Sequence, residues 1–150
     1  MFVAADAYAA TAAHAVFTHY KREEDATMTA GKFDEELARM SHLAAAITTD
    51  DLLLCNESFA ATNEREGSEI AGEVIRAMTD TGNTVVFVTH LYELANQFYQ
   101  EHAQSTLFLR ADRGSNGDRP FRIIDGAPLP TSYGEDLYRE TFAAFPSLRQ

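Results

Sequence analysis

The chain has 150 residues, 45% hydrophobic and 11% aromatic, which is material for one compact domain with a real core and too little length for two ordinary ones. Twelve Lys and Arg against 23 Asp and Glu leave a formal net charge of -11, which argues against a nucleic-acid-binding surface on this chain itself. One cysteine excludes an intrachain disulfide framework, and no apolar run approaches the roughly 20 residues of a membrane span.

In chain order, Phe2-Val3 is a candidate short strand, and Ala15–His19 is the first clear apolar, β-branched run. Lys21–Gly31 reads as a charged loop. Phe33, Leu37, Met40, Ala44 and Ile47 then recur at helical spacing and predict one buried face. Leu52–Cys55 predicts a second strand. Asn63 and Glu66 have the spacing of a capping box, opening a helix with Ile70, Val74, Ile75 and Met78 inward. Thr81-Gly82-Asn83 supplies its stop, with glycine suited to a left-handed cap.

Thr84–Val88 predicts a third strand. A helix from about Leu91 to about Glu101 follows, with Leu94 and Phe98 inward and Thr89 as its N-cap. Thr106–Leu109 and Phe121–Ile124 read as two strands of a β-hairpin around the turn-rich segment Arg110–Pro120. Alternating strands and helices predict an α/β layer with a mostly parallel sheet. No linker or internal repeat divides the chain, so residues 1–150 are expected to act as one domain.

Chemistry in parallel sheets collects at the carboxyl ends of the strands. Leu52-Leu53-Leu54-Cys55-Asn56-Glu57 is an apolar strand ending in a polar pair, the form of a Walker B motif. Val85-Val86-Phe87-Val88-Thr89-His90 is a second buried strand with a histidine beyond its end. Neighbouring parallel strands would bring Glu57 and His90 to one rim, where a histidine can position water or sense a phosphate. Each feature alone reads as an ordinary strand end; together they favour function. Cys55 is expected to be a small core residue, Phe142 and Phe145 to be core or a subunit contact, and the runs Glu64–Glu66 and Asp34–Glu36 to be solvated helix starts. His14, His19, His42 and His102 show no zinc spacing.

The stretch Asn56-Glu57-Ser58-Phe59-Ala60-Ala61-Thr62-Asn63-Glu64-Arg65-Glu66-Gly67, followed by Phe87-Val88-Thr89-His90-Leu91-Tyr92-Glu93-Leu94, resembles the ATPase domain of the MutS DNA mismatch repair family. Val16-Phe17-Thr18-His19, Gly31-Lys32-Phe33 with Glu36-Leu37, and Thr131-Ser132-Tyr133-Gly134 resemble further family segments in the same order, over nearly the whole chain. The resemblance implies a P-loop NTPase-like fold of the ABC type, working as a homodimer with ATP and Mg. It implies that Glu57 activates water, that His90 senses the γ-phosphate, and that Asn56 sits near magnesium through a bound water. It also implies that Thr62 and Asn63 line the dimer interface, and that Gly31, Lys32 and Phe33 reach the partner's nucleotide.

The pattern departs from the family in three places. No G-x-x-x-x-G-K-[ST] phosphate loop is present: around Gly31-Lys32, Ala26 replaces the first glycine and Phe33 the hydroxyl. The expectation is therefore the C-terminal part of a longer protein, with the sheet truncated at its N-terminal side. That part is expected to be inactive alone, and DNA would be bound through regions absent here. Asn56 stands where the family has Asp and brings no charge. Gly31-Lys32 stands where the family has small hydroxyl residues, leaving backbone amides or Lys32 to make the cross-dimer contact. Alternative readings are a degenerate NTPase domain kept for dimerisation and a related ABC-type chromosome-maintenance ATPase. The expected location is cytoplasmic, near the nucleoid, with no membrane partner; Met1–Asp6 lacks the basic-then-apolar form of a secretory leader.

Overall fold

The computed structural model describes residues 6–21, 31–114, 118–131 and 133–142. The expected strand at Phe2-Val3, most of the loop Lys21–Gly31, and Ser132 and Phe145 lie outside them. The elements run β1 (Val16–Tyr20), α1 (Lys32–Ala46), β2 (Leu52–Asn56), α2 (Glu64–Asp80), β3 (Thr84–Val88), α3 (Tyr92–His102), β4 (Leu109–Ala111), β5 (Ile123–Asp125) and α4 (Gly134–Thr141). They make an α/β architecture: a three-stranded parallel sheet in the order β1-β2-β3 and an antiparallel β4-β5 hairpin. The chain forms two compact units, Met1–Leu94 and Ala95–Gln150. Among the described residues no helix is long and apolar enough to cross a membrane.

In the first unit the register pairs Leu53 with Phe17 on one side and Val85 on the other, and Asn56 with Tyr20 and Val88. The strand order advances in one direction, so right-handed crossovers set α1 and α2 on the same side of the sheet. Leu53, Cys55 and His19 point to that side and are buried. The opposite side is open: Val16 is 59% exposed, Tyr20 48%, Val86 48% and Val88 54%. Parallel sheets are ordinarily covered on both faces, and the helices of this unit cover one of them.

The helices begin and end for identifiable reasons. Asn63 Oδ1 accepts from Glu66 N–H at 3.0 Å, as its spacing predicts. The Glu66 carboxylate takes the Thr62 hydroxyl at 2.7 Å. Gly82, at φ 86, closes α2, and Asn83 N–H reaches back to the Met78 carbonyl at 3.1 Å in the Schellman manner. The α1 stripe is rotated from its expected position. Glu36 and Met40 are buried while Leu37 is 36% exposed, so the inward line runs through Glu36 rather than Leu37.

In the second unit the ladder pairs Leu109 with Asp125 and Ala111 with Ile123. The first hairpin strand therefore starts later than Thr106, because the residues before Leu109 have a single backbone bond to the far strand, Gly126 N–H to the Phe108 carbonyl. The far strand starts after Phe121, whose φ of 55 takes it out of extended geometry. Arg113 pairs with Asp136 and lies 4.3 Å over the Tyr133 ring, tying the hairpin loop to the start of α4.

Asp51 anchors the amino-terminal edge of the parallel sheet. It is 2% exposed and accepts from Thr48 N–H at 2.8 Å, Ala15 N–H at 2.8 Å, the Thr48 hydroxyl at 3.1 Å and the His14 ring at 3.1 Å. Its own N–H donates to Asn83 at 3.0 Å. The Thr48 amide foremost, with the other donors, holds the Asp51 carboxyl below the ordinary carboxylate value. A depressed carboxyl stabilises the fold fully above its unfolded value of about 4, and loses that contribution as pH falls through the folded value. Asp51→Asn should therefore lower the urea midpoint clearly at about pH 7 and by less at about pH 3, below the unfolded value, where the stabilisation is already falling. Equal losses at both pH values would show that the charge is not what matters.

Candidate functional site

β2 ends at Asn56, and its parallel register with β3 carries one step further: Glu57 N–H donates to the Val88 carbonyl at 2.9 Å. Two residues beyond Val88, His90 leaves the same rim, and its Nδ1 contacts Glu57 Oε2. The expected juxtaposition of Glu57 and His90 is present. The carboxylate side chain is 29% exposed and the imidazole 63%, so the pair faces solvent and its net energy is small, about 1 kcal/mol or less. Its interest is positional.

Glu57 has φ 55 and Phe59 φ 64, a left-handed backbone that non-glycine residues avoid. Such conformations persist where surrounding structure fixes them, and they concentrate at functional sites. The intervening Ser58 is fully buried, as is the Phe59 side chain, whose ring stacks on His19 with centroids 5.8 Å apart.

A buried polar cluster lies directly beneath this turn. His19 Nδ1 is 2.7 Å from Ser58 Oγ, and Ser58 Oγ is 3.0 Å from the His19 carbonyl. His19 Nε2 is 3.3 Å from the Glu36 carbonyl, and Phe59 N–H donates to Glu36 Oε1 at 2.7 Å. Burial pushes the His19 pKa down, which favours the neutral ring. With the ring neutral, Nε2–H donates to the Glu36 carbonyl, and the single Ser58 hydroxyl proton serves either Nδ1 or the His19 carbonyl, not both. Cys55 lies below the same turn, and burial pushes its thiol up to about 11, so it is a core residue rather than a nucleophile.

The remaining sequence-derived residues fall at element starts. Gly31 is the N-cap of α1 with φ -61, and its carbonyl accepts from Glu35 N–H at 3.1 Å. Lys32 and Phe33 begin the helix. Thr62 and Asn63 cap α2 through Glu66. Asn56 is exposed at the strand end, and its carbonyl accepts from Lys21 N–H at 3.0 Å. Thr89 accepts from Leu91 N–H at 3.0 Å, while the first amides of α3 are capped from α2: Glu64 Oε1 accepts from Tyr92 N–H at 3.0 Å and Glu93 N–H at 3.3 Å.

Two members of the acidic runs are thus more than solvated helix starts. Glu36 is buried under the Glu57 turn, and Glu64 ties α2 to α3. For Glu36 the available signal was its spacing from Phe33 and Met40, which places a carboxylate on the apolar stripe. For Glu64 no local signal exists, because its partners lie far along the chain.

The donors present do not make a magnesium site. Among the described residues no group of three His, Cys, Asp or Glu could hold a metal ion, and Asn56 offers only a neutral amide oxygen. An open cleft of about 360 Å³ runs between α1 and α2 past Met40, Phe59 and Val74, but neither Glu57 nor His90 lines it. No family model and no curated protein matches the chain.

The turn also depends on a close approach by α2. A Cβ on Gly67 would strike the Phe59 carbonyl oxygen, a backbone atom that cannot swing aside. A Cβ on Gly72 would meet the end of Arg76 at 3.1 Å, a flexible group. Gly67→Ala should cost about 1–3 kcal/mol in chemical denaturation. Gly72→Ala should fall within about 1 kcal/mol of wild type, its helix-propensity gain offsetting a small adjustment of Arg76. Equal effects at the two positions would refute the close-approach account.

Proposed function

We propose that this chain is the Walker B half of a MutS-like DNA-repair ATPase, with Glu57 as the group that activates water against the γ-phosphate of ATP. The observation that carries the reading is the contact between Glu57 and His90 at neighbouring carboxyl ends of a parallel sheet. A carboxylate with one oxygen on an imidazole keeps its second oxygen to orient a water and accept its proton. The imidazole fixes the rotamer of that carboxylate and, through its far nitrogen, would meet the terminal phosphate. The left-handed backbone at Glu57 is further support, since it turns the side chain out of the strand and over the rim.

The same reading gives roles to the other residues. Gly31, Lys32 and Phe33 at the start of α1 would contact ATP bound by a partner copy, and Thr62 and Asn63 would line the dimer face. The phosphates and magnesium would be held by a phosphate loop that this sequence lacks, and DNA by other regions of the intact protein. The half-open parallel sheet is consistent with a larger domain, because further polypeptide would cover its second face. A second reading, a degenerate domain kept for dimerisation, is favoured by Asn56 and by the lack, among the described residues, of a carboxylate set for magnesium.

The chain alone should show no stoichiometric ATP binding in calorimetry at micromolar protein; measurable stoichiometric heat would refute the split-site account. The deciding experiment is ATP turnover by the protein carrying the sequence that precedes this chain. A phosphate loop there, and turnover lost by about 100-fold or more in Glu57→Ala, supports the ATPase. A phosphate loop with no turnover at all supports the dimerisation module, and turnover indifferent to Glu57→Ala removes Glu57 from the chemistry.

A further inference from the structure

We propose that Glu36 is a positioning residue for Glu57: from α1 it holds the strained turn that presents the Glu57 carboxylate to His90, with His19 and Ser58 as its supports. The purpose assigned to the turn rests on the ATPase reading; the geometry of the hold does not.

Left-handed backbone costs a non-glycine residue on the order of 1 kcal/mol or more, and here two such residues flank one position, at Glu57 and Phe59. A turn of that kind relaxes unless its backbone groups are tied in place. The Glu57 amide is tied to the Val88 carbonyl at 2.9 Å. The Ser58 hydroxyl lies between the His19 ring and the His19 carbonyl, at 2.7 and 3.0 Å. The Phe59 amide is tied to the Glu36 carboxylate at 2.7 Å. Phe59 is 0% exposed and Glu36 4%, so no water is at hand to replace that carboxylate.

Glu36 acts at both ends of the arrangement. Its carboxylate oxygen takes the amide beyond Ser58, and its backbone carbonyl takes the His19 ring that faces Ser58. A carboxylate is costly to bury, and an apolar residue at this point of the stripe would pack as well. What the carboxylate adds is a charge-assisted bond to one backbone amide, roughly twice as strong as a neutral one. Without it the Phe59 amide is buried with no acceptor. The turn then has reason to rotate back to ordinary φ, and that rotation carries the Glu57 side chain off His90.

The test is read in the intact chain without nucleotide, from the ring nitrogen and proton NMR signals of His90. Glu57→Ala defines their position when the contact is missing. Glu36→Ala should move the His90 signals to that position, with His90 and its own strand untouched by the substitution. Glu36→Gln, whose amide oxygen still accepts from Phe59 N–H, should return them most of the way to wild type. A folded Glu36→Ala protein with wild-type His90 signals would overturn the proposal, as would Glu36→Gln behaving like Glu36→Ala. If Glu36→Ala does not fold, Ser58→Ala takes its place: displaced His90 signals support the hold, and unmoved signals overturn it. Because no ATP is involved, failure here leaves the ATPase reading standing, and an inactive longer protein leaves this result standing.

Discussion

The parallel register of β2 on β3 is the constraint on which the site depends. Asn56 stands opposite Val88, and the ladder runs one bond beyond the strand to the Glu57 amide. Given that register, Glu57 and His90 have to emerge side by side. A slip by one residue would turn Leu53 and Cys55 from the covered face to the open one. The burial of Leu53 and Cys55, at 1% and 2% exposure, therefore fixes the position of the carboxylate and the imidazole as surely as any contact between them.

Both ends of this sheet are organised by polar burial. At the amino-terminal edge Asp51 collects donors from the turn after α1 and the start of β1, and its own amide reaches Asn83. Those bonds close a fold. At the carboxyl edge His19, Ser58 and Glu36 hold a turn away from its relaxed conformation. Left-handed backbone occurs at both ends, at Asp50 beside the first cluster and at Glu57 and Phe59 beside the second. Only the second end carries the Glu57–His90 pair, and that is the reason to look for function there.

Much of the first unit was legible in the sequence. β3 is found at Thr84–Val88 as expected, β1 and β2 end one residue later than their apolar runs, and the Asn63–Glu66 cap and the Gly82 stop lie where their local chemistry puts them. These features depend on neighbours within a few positions, which a sequence displays directly. The orientation of α1 was less legible. Glu36 and Leu37 lie one residue apart, a step of about 100° around the helix, and helical spacing alone admits either as the inward residue. The choice is made by Phe59 N–H, an acceptor-seeking group on a different element. Glu64 capping α3 and the late start of the hairpin strands were set by distant partners in the same way. Sequence singled out Glu57 and His90, but not the residues that make the Glu57 turn hold its shape.

The uncovered side of the sheet has a practical consequence. Val16, Tyr20, Val86 and Val88 lie on it, and none of the four is a charged gatekeeper of the kind that discourages edge-to-edge or face-to-face sticking. Chain prepared by itself will present that patch to whatever is dissolved beside it, so dye fluorescence, detergent and column matrix will all report on it. Biophysical work on this polypeptide therefore has to control for adhesion as carefully as for pH.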